Sequence, residues 1–460
     1  MPILVKRPKP VSVFEAELVS RLCKLQPYIK KPVKAIKVNE EIVAYCSPDS
    51  TYAVTKRLFD GAKKSILIGI YDLSSSHMRD MLLDALARKV KVSLMLDIDS
   101  QAERDLFDEL VTMGVKGVSA PSCANKTVSF FSSSHEKVIV IDNEWSLVQS
   151  GNYSDHSFPF NVIDGGDSKH FKTGNRDTGL AVKSRVLAQF LTKILKSDMA
   201  LVPATAEFLA HVIEDEPFLV EAAPKKQPAT LFPSKSFKLS PVLELQPVLS
   251  PDNYMDVVPG FLASAKKSIL IEQQYIRATQ PHIVQLLDAV KRAVASNPKL
   301  DVRIVLGKIF NSKDLPKEEA NLKILKDKYG LVLGKNIRYI NTDQLVHCHN
   351  KMILIDGNGV LVSSQNWSDS AVTKNREAGL WLQHPGIGKY FTNIFETDWK
   401  AALRSLPLAR RNPNRSRRRP WGLGDSFPSS VRITKRCRIT TGIVNLAKRV
   451  RFYCQLMSEF

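Results

Sequence analysis

Residues 62–68 read AKKSILI, and residues 265–271 read AKKSILI again. The likeness extends outward: 47–73 is SPDSTYAVTKRLFDGAKKSILIGIYDL and 250–276 is SPDNYMDVVPGFLASAKKSILIEQQYI. A seven-residue identity at matched places in a chain of 460 marks an internal duplication. Each copy continues alike. Leu82, Leu83, Leu86 and Val90 in the first, and Leu286, Leu287, Val290 and Val294 in the second, recur at the spacing of an amphipathic helix. VKVSLMLD and LDVRIVLG then follow as buried strands. Strand, helix, strand predicts an α/β fold of two homologous lobes, each a largely parallel β-sheet flanked by helices.

Between the copies, Pro217, Pro224, Pro228, Pro233, Pro241 and Pro247 resist regular structure and predict a linker over residues 216–245. Lobe 1 is then expected at 43–215 and lobe 2 at 246–405, with a basic leader at 1–42 and a basic tail at 406–460. The formal net charge is +20, of which residues 404–460 carry +12. The body is therefore only mildly basic. The tail, with Arg415, Arg417, Arg418, Arg419, Lys435, Arg436 and Arg438, suits nucleic acid, an anionic membrane surface, or plain solvation.

No run approaches the roughly eighteen apolar residues of a spanning helix, and MPILVKRPKP lacks the apolar core of a signal peptide. A cytoplasmic or peripheral-membrane monomer is the expectation. Cys23, Cys46, Cys123, Cys348, Cys437 and Cys454 are scattered without a C-x-x-C pair, which predicts reduced thiols and no metal site.

Both lobes carry one unusual octapeptide, HEKVIVID at 135–142 and HNKMILID at 349–356. Alternation along a strand makes His135 and Lys137 project together, as do His349 and Lys351. Asp142 and Asp356 fall at odd offsets and are expected to buttress the backbone. Seven residues after each Asp comes a matched element, QSGN at 149–152 and SSQN at 363–366, which places Ser150, Asn152, Ser364 and Asn366 in equivalent positions. Asn175-Arg176-Asp177 and Asn375-Arg376-Glu377 repeat further on.

These residue types suit one reaction. A neutral histidine is nucleophilic, and a carboxylate accepting its other N–H stabilises the imidazolium that forms. Lysine and asparagine side chains donate to phosphoryl oxygens, and a second histidine can protonate the departing oxygen. Two half-sites facing each other across a pseudo-two-fold axis supply the set. His156, His170 and His347 are expected in loop or supporting places, Cys348 in the core, and Tyr153 and Trp367 in either core or pocket.

The paired H-x-K-x4-D motifs resemble those of the phospholipase D superfamily, over about 360 residues. The resemblance implies phosphodiester hydrolysis or transfer through a phosphohistidine, without a metal or other cofactor. It makes His135, Lys137, His349 and Lys351 catalytic, with His135 attacking. Asn152, Asn366, Ser150 and Ser364 bind phosphate, Asp177 and Glu377 orient the histidines, and Asp142 and Asp356 are structural. The insertion FPFNVIDGGDSKHFKT makes Asp177 the weaker match. Gln149 and Ser363 stand where the family has glycine, which is expected to reshape the phosphate pocket. The retained motif aspartates argue against the tyrosyl-DNA phosphodiesterase branch, and typical cardiolipin synthases carry spanning helices before their lobes. LIEQQYI at 270–276 resembles the I-E-N-Q-Y-F run of lipid-cleaving members and favours a phospholipid. The first lobe's compact pattern and the basic tail also resemble nuclease members, and a non-enzymatic scaffold is the third alternative.

Overall fold

The computed structural model describes residues 23–125, 127–160, 174–203 and 231–406. The arginine-rich tail, His170, most of the insertion before Asp177 and the prolines at 217, 224 and 228 lie outside these residues. In chain order the described elements are β1 (Ile36–Val38), β2 (Glu41–Ser47), α1 (Thr51–Asp60), β3 (Ser65–Ile70), α2 (Ser76–Ala87), β4 (Lys91–Leu96), α3 (Gln101–Thr112), β5 (Lys116–Ser119), β6 (Lys137–Ile141), β7 (Trp145–Gln149), β8 (Asp177–Lys183) and α4 (Arg185–Met199). The second half follows with β9 (Lys235–Lys238), β10 (Leu243–Ser250), α5 (Tyr254–Ala263), β11 (Ser268–Gln273), α6 (Pro281–Ser296), β12 (Asp301–Leu306), α7 (Leu315–Tyr329), β13 (Ile337–Tyr339), β14 (Lys351–Ile355), β15 (Gly359–Ser363), α8 (Asp369–Thr373), β16 (Glu377–Gln383) and α9 (Pro385–Ala401).

These strands form two eight-stranded sheets of the same topology, β5-β4-β3-β6-β7-β8-β2-β9 and β13-β12-β11-β14-β15-β16-β10-β1. The duplicated α/β architecture is as expected, but the parallel character is confined to β3, β4 and β5 and their counterparts β11, β12 and β13. The motif strands β6 and β14 run antiparallel to both neighbours. Each turns back through a tight hairpin, and a hairpin joins only antiparallel strands.

Those hairpins explain the repeated AKKSILI. Asp142 and Asn143 (φ 53° and 55°), and Asp356 and Gly357 (φ 54° and 75°), take the left-handed conformation of a type I′ turn, which Asp, Asn and Gly tolerate. The Asp142 carboxylate then accepts from the amides of Lys63, Lys64 and Ser65 at 2.7–2.8 Å. Asp356 does the same for Lys266, Lys267 and Ser268. The motif aspartates thus hold the backbone at the start of β3 and β11. They do so from the turn beyond the strand rather than from its opposite face.

Side-chain alternation divides the core. Val138 and Val140 of β6, and Met352 and Leu354 of β14, point into one shared cluster between the sheets, packed with Leu191 of α4 and Phe391 of α9. Ile139 and Ile141 face the outer layer of lobe 1, and Ile353 and Ile355 that of lobe 2. Cys348, Tyr153 and Trp367 are fully buried, so the two aromatics belong to the core.

The expected leader and linker are not simple extensions. β1, from the leader, pairs with β10 at the edge of lobe 2, and β9, from the linker, pairs with β2 at the edge of lobe 1. Each lobe is thus completed by a strand from the segment that precedes the other. The prolines did not prevent this. Pro247 lies within β10 beyond the reach of three-residue β1, whose register ends at Leu245, so its missing N–H costs no ladder bond. The expectation of reduced thiols is also corrected, because Cys23 and Cys123 form a disulfide 100 residues apart in sequence. Leader residues beside Cys23 run along the lobe-1 loop: Gln26 N donates to Ser129 O, and Tyr28 packs on Phe131. Cys46 and Cys348 are free and buried.

Candidate active site

The two motif histidines lie just before β6 and β14, where the chain of one lobe runs beside the acid-bearing segment of the other. His135 N donates to Arg376 O, and Arg376 N to Ser133 O. His349 N donates to Arg176 O, and Arg176 N to His347 O. This double exchange fixes the side-chain partners across the lobe boundary. His135 Nδ1 lies 2.8 Å from Glu377 Oε2, and His349 Nδ1 lies 3.0 Å from Asp177 Oδ1. Asp177 opens β8 as Glu377 opens β16, so the insertion before it leaves its place in the lobe unchanged.

Each lysine is tied to its own histidine: Lys137 Nζ donates to His135 O and Lys351 Nζ to His349 O. Both lysines are buried, whereas each imidazole keeps 12% of its side chain exposed, enough for a substrate to reach its edge. Tyr71, not foreseen from sequence, packs on His135 (4.7 Å between centroids), lies under the Lys137 ammonium (5.3 Å), and donates its OH to Asp99.

Ser150 and Ser364 do not face a substrate. Both are fully buried; Ser150 donates to Asp177 Oδ1 at 2.8 Å and accepts from Thr178 N, and Ser364 accepts from Ala378 N. They brace the acids, which corrects the phosphate-binding role expected for them. Gly151 has a similar task, because a Cβ there would lie 2.9 Å from the Asp177 carboxylate. Gln149 and Ser363 are likewise buried and brace strands, Gln149 through Tyr45 OH and Gly151 O, and Ser363 through Lys351 O. Asn152 and Asn366 hold buried amide oxygens that meet no partner among the described residues.

Electrostatics distinguish the two halves. Burial pushes Glu377 up to about 8, although Lys137 opposes it. Burial, Lys137 and Lys351 hold His135 well below the usual imidazole value. Burial also acts to raise Asp177, but His349 and Lys351 outweigh it and keep this carboxyl below its ordinary value. His349 is lowered by burial and Lys351, against the pull of Asp177. A hydrogen-bonded pair shares its protons, so the count belongs to the pair. The surroundings of the His135–Glu377 pair favour a protonated carboxyl, whereas those of the His349–Asp177 pair favour an ionised one. Burial lowers Lys137 to about 8 and Lys351 to about 7, and a bound phosphoryl anion would restore their charge.

The arginines beside the acids lock this frame. Arg176 donates from Nε to Asp398 of α9 at 2.6 Å and from Nη1 to Asp49 of its own lobe at 3.1 Å. Arg376 pairs with Asp198 of α4 at 2.8 Å and with Asp252 of its own lobe. Each arginine thus clamps both lobes, and the repeated Ser-Pro-Asp supplies one carboxylate per clamp. The repetition of SPD and of Arg in the sequence was the signal for these residues. One buried carboxylate has changed sides between the lobes. Glu136 lies against Gly69 in lobe 1, whereas in lobe 2 Glu272 replaces that glycine and Asn350 replaces that glutamate, the two bonding at 2.8 Å. Among the described residues no group of three or more His, Cys, Asp or Glu is placed to hold a metal ion.

A duplicated α/β frame with one His, Lys and acid set per lobe, assembled across a pseudo-two-fold axis, defines the phospholipase D superfamily arrangement. The chain belongs to the family described as cardiolipin synthase, PLD-like domain, matched over residues 55–199 and 260–399. Among solved structures it is similar to phosphatidylserine synthase from Haemophilus influenzae Rd KW20, with 13% identity, TM-score 0.52, and coverage of 85% of this chain and 92% of that one. It is also similar to polyphosphate kinase from Porphyromonas gingivalis (13% identity, TM-score 0.47, 81% and 53% covered) and to Nuc, a phospholipase D family member from Salmonella typhimurium (20%, 0.29, 35% and 96%). These likenesses concern the fold. A search of the curated proteins found no match. Among the described residues no helix is long and apolar enough to cross a membrane.

Proposed function

We propose that the chain hydrolyses or transfers the phosphatidyl group of a phospholipid through a covalent phosphohistidine. The reciprocal pairing of His135 with Glu377 and of His349 with Asp177 carries this reading. Each pairing engages Nδ1 and leaves Nε2 for the phosphorus or the leaving oxygen. The family match and the LIEQQYI strand favour a lipid diester.

The resemblance gives the attacking role to His135; a Glu377 carboxyl held up by burial beside an Asp177 held down by His349 and Lys351 favours His349. With Asp177 ionised, His349 holds its proton on Nδ1 and offers the Nε2 lone pair. In the first step a P–N bond forms at His349, the P–O bond of the head group breaks, and the alkoxide takes the proton held by the His135–Glu377 pair. In the second, water or an alcohol returns a proton to that pair while its oxygen attacks phosphorus, and the P–N bond breaks. Lys137, Lys351, Asn152 and Asn366 hold the phosphoryl oxygens, where donors in a water-poor site matter most.

The test offers the purified chain phosphatidylcholine in detergent micelles with a primary alcohol, and single-stranded DNA in parallel, both in EDTA. Phosphatidylalcohol or phosphatidic acid is the expected product. Nucleotide release alone would move the reading to nucleic acid, and a fully active His349→Ala variant would overturn the mechanism.

A further inference from the structure

At the C-terminal ends of β11 and β12, on the lobe-2 side of the catalytic centre, lies a shallow, half-open cleft. Gln274, Arg277, Lys308, Phe310, Glu318 and Tyr339 are among its walls. Its inner charges offset one another: Arg277 lies 3.7 Å from Glu318, which accepts from Tyr339 OH at 2.8 Å. Asp314, also buried, belongs to the same wall. Lys308 is different. It is half-buried at the mouth, and among the described residues no carboxylate lies within ion-pair distance of its ammonium, which sits 4.7 Å from the Phe310 ring centroid.

His347 stands against the same ring, at 4.5 Å between centroids. It packs where Gly307 has no side chain, since a Cβ there would lie 2.1 Å from the imidazole. The Lys308 amide donates to His347 Nδ1 at 2.9 Å, so the neutral ring must carry its hydrogen on Nε2. That Nε2–H is buried and meets no acceptor among the described residues, a cost that a bound anion or water removes. Two donors without acceptors, an ammonium and an imidazole N–H, therefore flank one aromatic ring. The His347 ring lies only 6.3 Å from that of His349.

We infer that Lys308 and His347 form a subsite for a second anionic group on the lipid substrate, a carboxylate or phosphate one short spacer from the scissile phosphorus. The inference rests on the phosphatidyl reading above and adds to it a preference for lipids whose head group carries a second anion. Lobe 1 does not repeat the subsite. Asp97 occupies the place of Gly307, and Ser133, in the place of His347, donates to it at 2.8 Å. The nearly symmetric centre thereby acquires a direction.

The test compares phosphatidylserine with phosphatidylethanolamine, which differ by one carboxylate, in neutral-detergent micelles. Wild-type protein is expected to prefer phosphatidylserine in kcat/KM. Lys308→Ala should lower that preference about tenfold, as loss of a charge-assisted contact does, leave phosphatidylethanolamine turnover unchanged, and be rescued by Lys308→Arg. Equal losses on both lipids, or no loss on either, would overturn the subsite while leaving the phosphatidyl reading intact. Turnover of neither lipid by wild type would instead sink that reading. Lys308-dependent cleavage of an oligonucleotide with no lipid turnover would reassign the second anion to a neighbouring strand phosphate.

Discussion

Glu377 is the partner of His135 although 242 residues separate them, and the 2.8 Å contact crosses from lobe 2 to lobe 1. Neither lobe alone contains a complete His–carboxylate pair. The structural unit and the chemical unit of this duplication are therefore different objects.

The cross-lobe pairs separate the two histidine roles. Acid quenching of the enzyme during turnover of a labelled diester, followed by peptide mapping, should place the phosphoryl group on His349. Glu377→Gln should let labelled phosphoenzyme accumulate with an activated leaving group, which needs no acid, while slowing release about 100-fold or more, within the usual worth of general acid–base catalysis. Label on His135 would reverse the assignment.

The pH profile follows from the same groups. Attack requires the His349–Asp177 pair without its dissociable proton, so kcat/KM rises as pH passes a value below the ordinary imidazole range. Protonation of the leaving group requires the His135–Glu377 pair to keep its proton, with Glu377 near 8, and the phosphoryl grip requires Lys351 near 7 and Lys137 near 8. All three losses act in the same direction. A bell with its falling limb between about pH 7 and 8 is expected in kcat/KM, and at higher pH in kcat, because bound anion raises both lysines. Activity still climbing at pH 9 would contradict it.

Arg376 holds Asp198 and Asp252, all three buried. Arg376→Ala should cost about 3–5 kcal/mol, because carboxylates that were paired are left in a dry interior. Chemical denaturation should show this as a fall in midpoint. A loss within experimental error would mean that the clamp is not what joins the lobes.

Much of this was legible in the sequence. AKKSILI revealed the duplication, and the spacing of His, Lys and Asp revealed the motif strands, because a strand's period is short and local. The acids were found too, but their exchange was not: alternation reports which face a side chain takes, and nothing in Asn-Arg-Asp tells which lobe that face meets. Ser150 and Ser364 sit beside Asn152 and Asn366 in sequence, and their burial depends on β8 and β16 closing over them. Cys23 and Cys123 lack a spacing signature because tertiary packing of the leader brings them together. The edge strand KSFK at 235–238 has one apolar residue, too few for an alternating pattern.

The exchange of edge strands and acids also bears on how the protein comes into being. As the chain leaves the ribosome, His135 and Lys137 emerge early, but the sheet of lobe 1 waits for β9 and the partner of His135 waits for residue 377. No half of the nascent polypeptide can assemble a working His–carboxylate pair on lobe 1. The first pair to become possible is His349 with Asp177, once residue 349 has been made, and the pair on lobe 1 follows it.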